Sequence, residues 1–184
     1  MTGANTGLGL EAAKHFVRLN AATVILACRN TEKGEAAAKS IEESTGRKGV
    51  AQVWPLDLSS YDSVKAFARK AEELKRLDAV VESAGKATET FSRAEGQEST
   101  ITTNVISTFL LALLLLPKLK QTAQKQNVTP RLSIVTSEVH NFTEIPERKA
   151  ERLFEGLANE EMSAPYMGER YIGPFHPPIS IYIR

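Results

Sequence analysis

The stretch Thr2-Gly3-Ala4-Asn5-Thr6-Gly7-Leu8-Gly9 decides how the rest of the sequence is interpreted. It leads into apolar residues at helical spacing, which predict a helix over residues 7–20. Glycines at these positions let the backbone turn sharply and come close to a pyrophosphate, whose charge is favoured by the N–H groups and dipole at a helix N-terminus. A glycine-rich turn before a helix is often only a turn, so the elements that follow decide between the two interpretations.

Short apolar runs and helical patterns alternate along the sequence after this turn. The apolar runs predict strands at residues 23–27, 50–56, 77–81 and 132–136. Helices are predicted at 31–46 with Thr31 as the cap, after a cap at Ser59 or Ser60, at 97–116, and by a weaker pattern at 149–157. Nearly continuous apolar strands that alternate with helices are typical of a parallel sheet covered on both faces. We therefore predict a single doubly wound α/β domain over all 184 residues.

The composition is that of an ordinary globular protein, with 42% hydrophobic and 24% charged residues. Lys and Arg total 23 and Asp and Glu total 22, so no overall field would draw the chain to nucleic acid or to a membrane. The N-terminus shows no secretory signal and Cys28 is the single cysteine, so we expect a cytoplasmic location. The apolar run 109–116 is too short to span a bilayer and is expected to be a buried helix. The three histidines are scattered, so no metal site is expected.

Side chains that follow the predicted strands could contact a dinucleotide. Arg29 follows the strand at 23–27, where dinucleotide folds place the residue that reads the adenosine ribose, and a cation there accommodates a 2′-phosphate and favours NADP. Lys33, one helical turn further on, could add a second positive charge, although both cations would also suit a plain surface. Asp57 could bind the adenine amino group through its carboxylate, or it could only cap the helix that follows.

Several motifs together resemble the short-chain dehydrogenase/reductase family in order and spacing, in its fungal and retinol-dehydrogenase-like branch. They are Thr-Gly-x-x-x-Gly-x-Gly at the start, Cys28-Arg29-Asn30, Asp57-Leu58, Ala84-Gly85, Asn104 and Thr136-Ser137. The similarity extends from Thr2 to about Tyr171. It implies a Rossmann-type sheet with an NADP site, whose residues would be Gly3, Asn5, Gly7, Leu8, Gly9, Arg29, Lys33, Asp57, Ser83, Ala84 and Gly85.

The resemblance also implies a reaction, in which a hydride passes between NADPH and the carbonyl or alcohol group of a small molecule. Ser137 would hydrogen-bond the carbonyl oxygen, and Asn104 would hold a water for proton relay. Tyr171 would be the general acid, whose pKa of ~10 must be lowered by a neighbouring lysine. Many members of the fungal branch serve secondary-metabolite pathways, so analogy favours a polyketide- or terpenoid-type carbonyl. Members are often dimers or tetramers, which leaves a homo-oligomer open.

The sequence departs from the family pattern at the catalytic lysine. The family spaces its pair Tyr-x-x-x-Lys, but Phe175 stands four residues after Tyr171 and no lysine follows Lys149. Tyr166 and Arg170 have the same spacing, but a wide planar guanidinium does not simply replace an ammonium group. We therefore expect impaired catalysis.

Further departures concern the strands. The family ends its fourth strand with Asn-Asn-Ala-Gly, where this sequence has Glu82-Ser83-Ala84-Gly85. The strand that precedes Thr2 in the family and the strands that follow Tyr171 are expected to be missing, and loss of the first would leave two interior edges unpaired. Residues 179–183 could form an improvised strand or be mere read-through. Three interpretations stay open. They are an impaired NADP-dependent oxidoreductase, a non-catalytic NADP-binding or interaction module, and an inactive truncated gene product.

Overall fold

A computed structural model describes residues 1–136, 146–167 and, as backbone, 179–182. Two of the predicted catalytic residues, Ser137 and Tyr171, lie outside the described residues, as do Arg170 and Phe175. The other predicted site residues are all described.

Helices and strands alternate along most of the described chain, as predicted. The strands are β1 (Val24–Cys28), β2 (Ala51–Pro55), β3 (Ala79–Glu82), β4 (Arg93–Ala94), β5 (Gln97–Glu98), β6 (Arg131–Ile134) and β7 (Ile179–Tyr182). The α-helices are α1 (Gly7–Arg18), α2 (Thr31–Thr45), α3 (Tyr61–Glu72), α4 (Ser99–Ile101), α5 (Ser107–Gln126), α6 (Leu153–Leu157) and α7 (Glu160–Ser163). A π-helical turn, Thr102–Ile106, joins α4 to α5, and 3₁₀ turns cover Pro146–Lys149 and Ala164–Tyr166.

The main sheet consists of two halves. In one half, β1 pairs in parallel with β2 along its whole length. In the other, β3 pairs in parallel with β6, and β7 pairs with β6 in the antiparallel direction, so a strand does form at the predicted position near residue 179. Thr2 joins the halves through parallel bridges to Ala27 of β1 and Glu82 of β3. Within the described ranges no strand lies between β1 and β3.

Helices cover both faces of this sheet, which confirms the doubly wound arrangement. One face carries a core that includes Phe67 of α3 and Leu111 of α5. The other face carries a second core that includes Val17 of α1, Leu26 of β1 and Ile41 of α2. Because apolar side chains of β1 and β2 are shared between the two cores, the strands are buried on both sides, which explains their nearly continuous apolar sequences.

The long central helix differs from its predicted bounds. Residues 97–98 form β5, which pairs with β4, and the helical segment begins only at Ser99. It also continues through Pro117 to Gln126. Proline removes one hydrogen bond to the carbonyl four residues earlier, that of Leu113. The helix nevertheless continues past Pro117, on the side of α5 where Leu113 is 63% exposed.

The apolar run inside this helix is buried on one face only. Leu111 and Leu115 are buried against the core that α5 shares with α3, whereas Phe109 and Leu113 are exposed. The prediction of a buried helix is therefore correct for half of its circumference. By length and composition alone, the combined helix over residues 99–126 would also be able to cross a membrane, a test that the core helices of many soluble proteins pass.

Helix caps agree in part with the predictions. Asn30, rather than the predicted Thr31, caps α2, because its Oδ1 accepts a hydrogen bond from the N–H of Lys33 at 2.9 Å. Ser60 caps α3 and so settles the choice that the sequence left between two serines. Gly46, the last residue of the predicted helix, follows the end of α2 in the left-handed conformation, with φ of +69°.

Candidate functional site

The predicted site residues that the structure describes gather at one edge of the sheet. Arg29 follows β1, Asp57 follows β2 and Ser83 follows β3. These strands run in the same direction, so their carboxyl ends meet at this edge, and the glycine turn lies there because Thr2 bridges β1 and β3. In open α/β sheets, ligands bind in the crevice outside the carboxyl ends of the strands.

The glycine turn packs too closely for side chains at two of its positions. A Cβ atom on Gly9 would lie 2.1 Å from the carbonyl oxygen of Gly3. A Cβ atom on Gly3 would lie 2.8 Å from the Cα atom of Ala84, and Gly3 also has φ of +66°. Gly7 faces open space but has φ of +53°, so its need for glycine comes from the backbone alone.

The N-terminus of helix α1 is exposed to solvent beside this turn. Its cap residue, Thr6, makes no side-chain hydrogen bond to the helix, and the first turn holds no acidic residue. Thr6, Gly7 and Leu8 are exposed, and Asn5 is half-buried. The free N–H groups and the positive end of the helix dipole suit an anion such as a pyrophosphate.

Thr2 fixes the turn against the chain that follows β3. Its N–H donates to the carbonyl of Val81 at 2.9 Å, and its Oγ1 accepts hydrogen bonds from the N–H groups of Ser83 and Ala84, each at 3.0 Å. The residue is only 3% exposed. Thr2 belongs to the glycine motif, but no role was predicted for it. The signal that could have found it is a hydroxyl directly before the first glycine, where a buried strand meets a turn.

Two positively charged side chains at the same edge form no ion pair with a described residue. Arg29 and Lys33 are exposed, and neither forms an ion pair with a described carboxylate. Asn30 between them holds the start of α2. An unpaired guanidinium and ammonium within one helical turn of each other provide the charge and the donors that a phosphate monoester requires.

Asp57 organises the turn that follows β2. Its Oδ1 accepts hydrogen bonds from the N–H of Ser59 at 2.9 Å and from the hydroxyl of Ser59 at 2.6 Å. Its own N–H donates to Oγ of Ser63 at 2.9 Å. Since Ser60 caps α3, the alternative that Asp57 is only a helix cap is wrong. Its Oδ2 makes no hydrogen bond to a described residue.

Asn104 ties the loop after β3 to the central helix. It lies in the π-helical turn, where its Oδ1 accepts from the N–H of Lys86 at 2.7 Å and its Nδ2 donates to the carbonyl of Lys86 at 2.8 Å. The Lys86 ammonium donates to the hydroxyls of Ser99 at 2.6 Å and Ser92 at 3.2 Å. Both ends of the Asn104 amide are therefore engaged with backbone, and Gly85 beside it is exposed.

Glu82 is an unexpected buried acid under this edge. It is 3% exposed, and its Oε1 has no hydrogen-bond partner in the described part of the chain. Burial raises the pKa of Glu82 to about 8, although the nearby Met1 ammonium acts in the opposite direction. Burial likewise lowers the pKa of the Met1 amine, which donates to the carbonyl of Ile25 at 2.8 Å, to about 6. The sequence marked Glu82 as a departure from the family, but it gave no sign of this burial.

Comparison with known proteins points to one family. Residues 1–130 match the family model of the short chain dehydrogenases. A short chain dehydrogenase of Emericella nidulans is 50% identical over 173 residues, which cover 93% of this chain and 54% of that protein. This chain spans about half the length of the curated relatives it matches.

Solved structures show the same likeness. A short-chain dehydrogenase from Sphingobium yanoikuyae in complex with NADPH has a TM-score of 0.65 at 21% identity, over 92% of this chain and 57% of that one. A protein from Escherichia coli described as a short chain dehydrogenase and complexed with NADPH has a TM-score of 0.60 at 30% identity, over 89% of this chain and 65% of that one. The first of these establishes likeness of fold, which is the Rossmann-type sheet expected from the motifs.

Proposed function

Because the chain belongs to the short-chain dehydrogenase family, we propose that it forms the NADP-binding part of an oxidoreductase. The proposed reaction transfers a hydride between NADPH and the carbonyl or alcohol group of a small molecule. The observation that carries the proposal is the glycine turn, where Gly3 and Gly9 leave space for backbone only and α1 begins with free N–H groups. A pyrophosphate matches both the space and the charge of this turn.

The preference for NADP over NAD rests on Arg29 and Lys33. Both side chains are exposed at the carboxyl edge and neither is paired with a described acid, so both are available to a 2′-phosphate. No acidic residue stands where an NAD-specific fold would bind the ribose hydroxyl, since Arg29 occupies that place. Two similar solved structures hold NADPH, which supports the same cofactor here.

The remaining cofactor contacts follow from the same edge. We propose that Oδ2 of Asp57 accepts a hydrogen bond from the adenine amino group, since Oδ1 is already engaged with Ser59. The backbone of residues 83–85 would border the cofactor, because Thr2 holds it against the glycine turn. Asn104 would shape this border through Lys86, since its side-chain amide already binds the Lys86 backbone.

The catalytic step would depend on Ser137 and Tyr171, with Phe175 in place of the lysine. A tyrosine hydroxyl has a pKa of ~10, and without a neighbouring ammonium group it remains a weak proton donor at pH 7. Loss of one acid–base element typically costs ~10²–10⁴ in rate. We therefore propose turnover that is slow at best. The position of Phe175 also favours a second candidate function, that of a nucleotide-binding module without catalysis.

The substrate is proposed by analogy alone. We propose a polyketide- or terpenoid-type carbonyl, because the similar proteins are fungal short chain dehydrogenases and many members of that branch serve secondary-metabolite pathways. We also propose a cytoplasmic location, which fits the single cysteine. The two candidate functions would be separated by NADPH consumption with a panel of such carbonyls. Consumption that depends on Tyr171 supports the oxidoreductase, and tight binding without consumption supports the binding module.

The decisive experiment is titration of the purified chain with NADPH and NADH, followed by calorimetry and by energy transfer from the single Trp54. We expect selective binding of NADPH. The variant R29A should bind NADPH about tenfold more weakly, because one charge-assisted contact is worth roughly 1.4 kcal/mol. Its affinity for NADH should change little.

A matched control is R69A, which removes another exposed arginine from α3, away from the carboxyl edge. This variant should bind NADPH as the unmodified chain does. Absence of NADPH binding in a folded sample, or equal binding of NADPH and NADH, would refute the proposed cofactor site.

A further inference from the structure

The loop that follows β3 is fixed to the rest of the chain on both sides of Gly85. On one side, Oγ1 of Thr2 accepts hydrogen bonds from the N–H groups of residues 83 and 84, each at 3.0 Å. On the other side, the Asn104 amide binds both the N–H and the carbonyl of Lys86. Gly85 itself is exposed, and its backbone groups make no hydrogen bond to a described residue. An open stretch of backbone is therefore presented at the carboxyl edge between two anchors.

The side chain of Lys86 adds a further anchor. Its ammonium group donates to Oγ of Ser99 at 2.6 Å and to Oγ of Ser92 at 3.2 Å. Since Lys86 is half-buried and Ser99 is 3% exposed, the ammonium group reaches inward to the start of α4. Ser99 begins the helical segment that carries Asn104, which lies five residues and ~7.5 Å further along. Lys86 is thus bound to this segment at two separate points, by its backbone and by its ammonium group.

The two serines connect Lys86 to a buried carboxylate. The hydroxyl of Ser99 donates to Oε1 of Glu98 at 3.1 Å. Because this bond uses the only hydroxyl hydrogen of Ser99, Ser92 must be the donor in the 2.7 Å contact between the two serines. Glu98 is 0% exposed and accepts from the N–H groups of residues 100 and 101 at the start of α4. Hydrogen bonds that involve an ionised group are stronger than neutral ones, so this chain of donors favours the inward position of the ammonium group.

Lys86 differs in this respect from an ordinary surface lysine of the same chain. Lys39 lies 4.0 Å from Glu43, and the side chains of the pair are 78% and 69% exposed. Such a pair contributes little, because water screens the charges and both side chains lose freedom. Lys86 instead uses two of its three donors on hydroxyl groups, one of which belongs to a buried residue. Its contacts are therefore of the kind that can hold a loop in place.

We propose that Lys86 is a positioning residue, whose ammonium group holds the backbone around Gly85 in the conformation that borders the dinucleotide. This role rests on the proposed function. When the ammonium group is removed, a smaller fraction of the chain has the loop in the binding conformation, and the affinity falls by the same factor. The 2′-phosphate is assigned to Arg29 and Lys33, which follow a different strand. The loss at Lys86 is therefore expected to be equal for NADPH and NADH.

The first test is calorimetric titration of K86M with NADPH and with NADH. This variant keeps the apolar part of the side chain and removes the ammonium group. It should bind both dinucleotides about two- to tenfold more weakly, the effect of one hydrogen bond. K86R keeps a charged donor and should recover most of this affinity. K120M removes an exposed lysine near the other end of α5 and should bind as the unmodified chain does. Urea denaturation of each variant shows that the fold is retained.

The second test removes the partner of the ammonium group with S99A. The double variant K86M/S99A should bind the dinucleotides no more weakly than the weaker of the two single variants, because both changes break the same contact. S99A also leaves residue 86 unaltered, so the exchange of its amide hydrogen can be compared directly. In the nucleotide-free S99A chain, exchange at the Lys86 amide should be about two- to tenfold faster than in the unmodified chain.

Any of three results would overturn the role of Lys86. They are unchanged affinity of K86M for both dinucleotides, a loss of affinity for NADPH alone, and losses that add up in the double variant. A loss for NADPH alone would mean that the ammonium group contacts the 2′-phosphate. A folded, unmodified chain that binds neither dinucleotide would refute the proposed function and this role together, whereas K86M with unchanged affinity would refute the role of Lys86 only.

Discussion

The two ends of the β1–β3 pair are held together in different ways. At the carboxyl end, Thr2 fills the gap with backbone and hydroxyl hydrogen bonds, and the glycines pack the turn against Ala84. At the amino end, the same two strands border a cavity of about 690 Å³. A few side chains at fixed positions are thus sufficient to build the candidate nucleotide edge. At the opposite end, no such hydrogen bonds join β1 and β3 among the residues that the structure describes.

The largest expected effect comes from breaking the packed end with G9A. The added methyl group would lie 2.1 Å from the carbonyl oxygen of Gly3, so the turn must shift. We expect the free energy of unfolding to fall by about 3 kcal/mol or more in urea denaturation, and NADPH binding to be lost. G7A is the matched control, because its methyl group meets open space and only the positive φ is strained, at about 1 kcal/mol. Equal losses for the two variants would contradict the close packing.

Thr2 provides the next test, since its hydroxyl is the acceptor for the N–H groups of two half-buried residues. T2V keeps the shape of the side chain but leaves the N–H groups of Ser83 and Ala84 without that acceptor. We expect a loss of about 2–3 kcal/mol in the free energy of unfolding, and T2S should recover most of it. If T2S were as unstable as T2V, the methyl group rather than the hydroxyl would be holding the two strands.

Glu82 makes the stability of the joined strands depend on pH. Its pKa is raised to about 8 in the folded chain from an ordinary value of 4.5, so its contribution to stability is fully present below pH 4.5 and is lost as the pH rises through 8. E82Q carries no such titration. Between pH 5 and pH 8 the free energy of unfolding of E82Q, relative to that of the unmodified chain, should therefore rise by about 3–4 kcal/mol.

The contribution of the Met1 amine to stability has the opposite pH dependence, and it affects both the unmodified chain and E82Q. Its pKa is lowered to about 6 from 8.0, so its contribution is present above pH 8 and is lost as the pH falls through 6. Because both forms contain this amine, its own titration cancels from the difference between them, apart from the shift that the Glu82 charge causes in the pKa of Met1. A difference in stability that does not change between pH 5 and pH 8 would mean that Glu82 is not buried as an acid.

The fold and the edge that holds the site could be predicted because they depend on local patterns. Apolar runs located the four parallel strands, and the glycine spacing located the turn at Gly3 and Gly9, whose close contacts the structure then explains. What could not be predicted depends on tertiary surroundings. The burial of Glu82 and the continuation of α5 through Pro117 depend on which residues the tertiary fold leaves exposed to solvent. The spacing of residues in the sequence does not contain this information.

The smallest expected effect concerns the cap of α2, at the same edge as Arg29. The sequence favoured Thr31 as the cap, but both residues can serve, and only the backbone geometry selects Asn30. N30A should therefore reduce the free energy of unfolding by about 1 kcal/mol, and T31A should change it by less than about half of that. NADPH affinity should fall less in N30A than in R29A, because the cap only positions the strand end that carries the arginine. Urea denaturation of the two variants measures both losses in the free energy of unfolding. A larger loss in T31A than in N30A would show that Thr31 is the cap, as the sequence predicted.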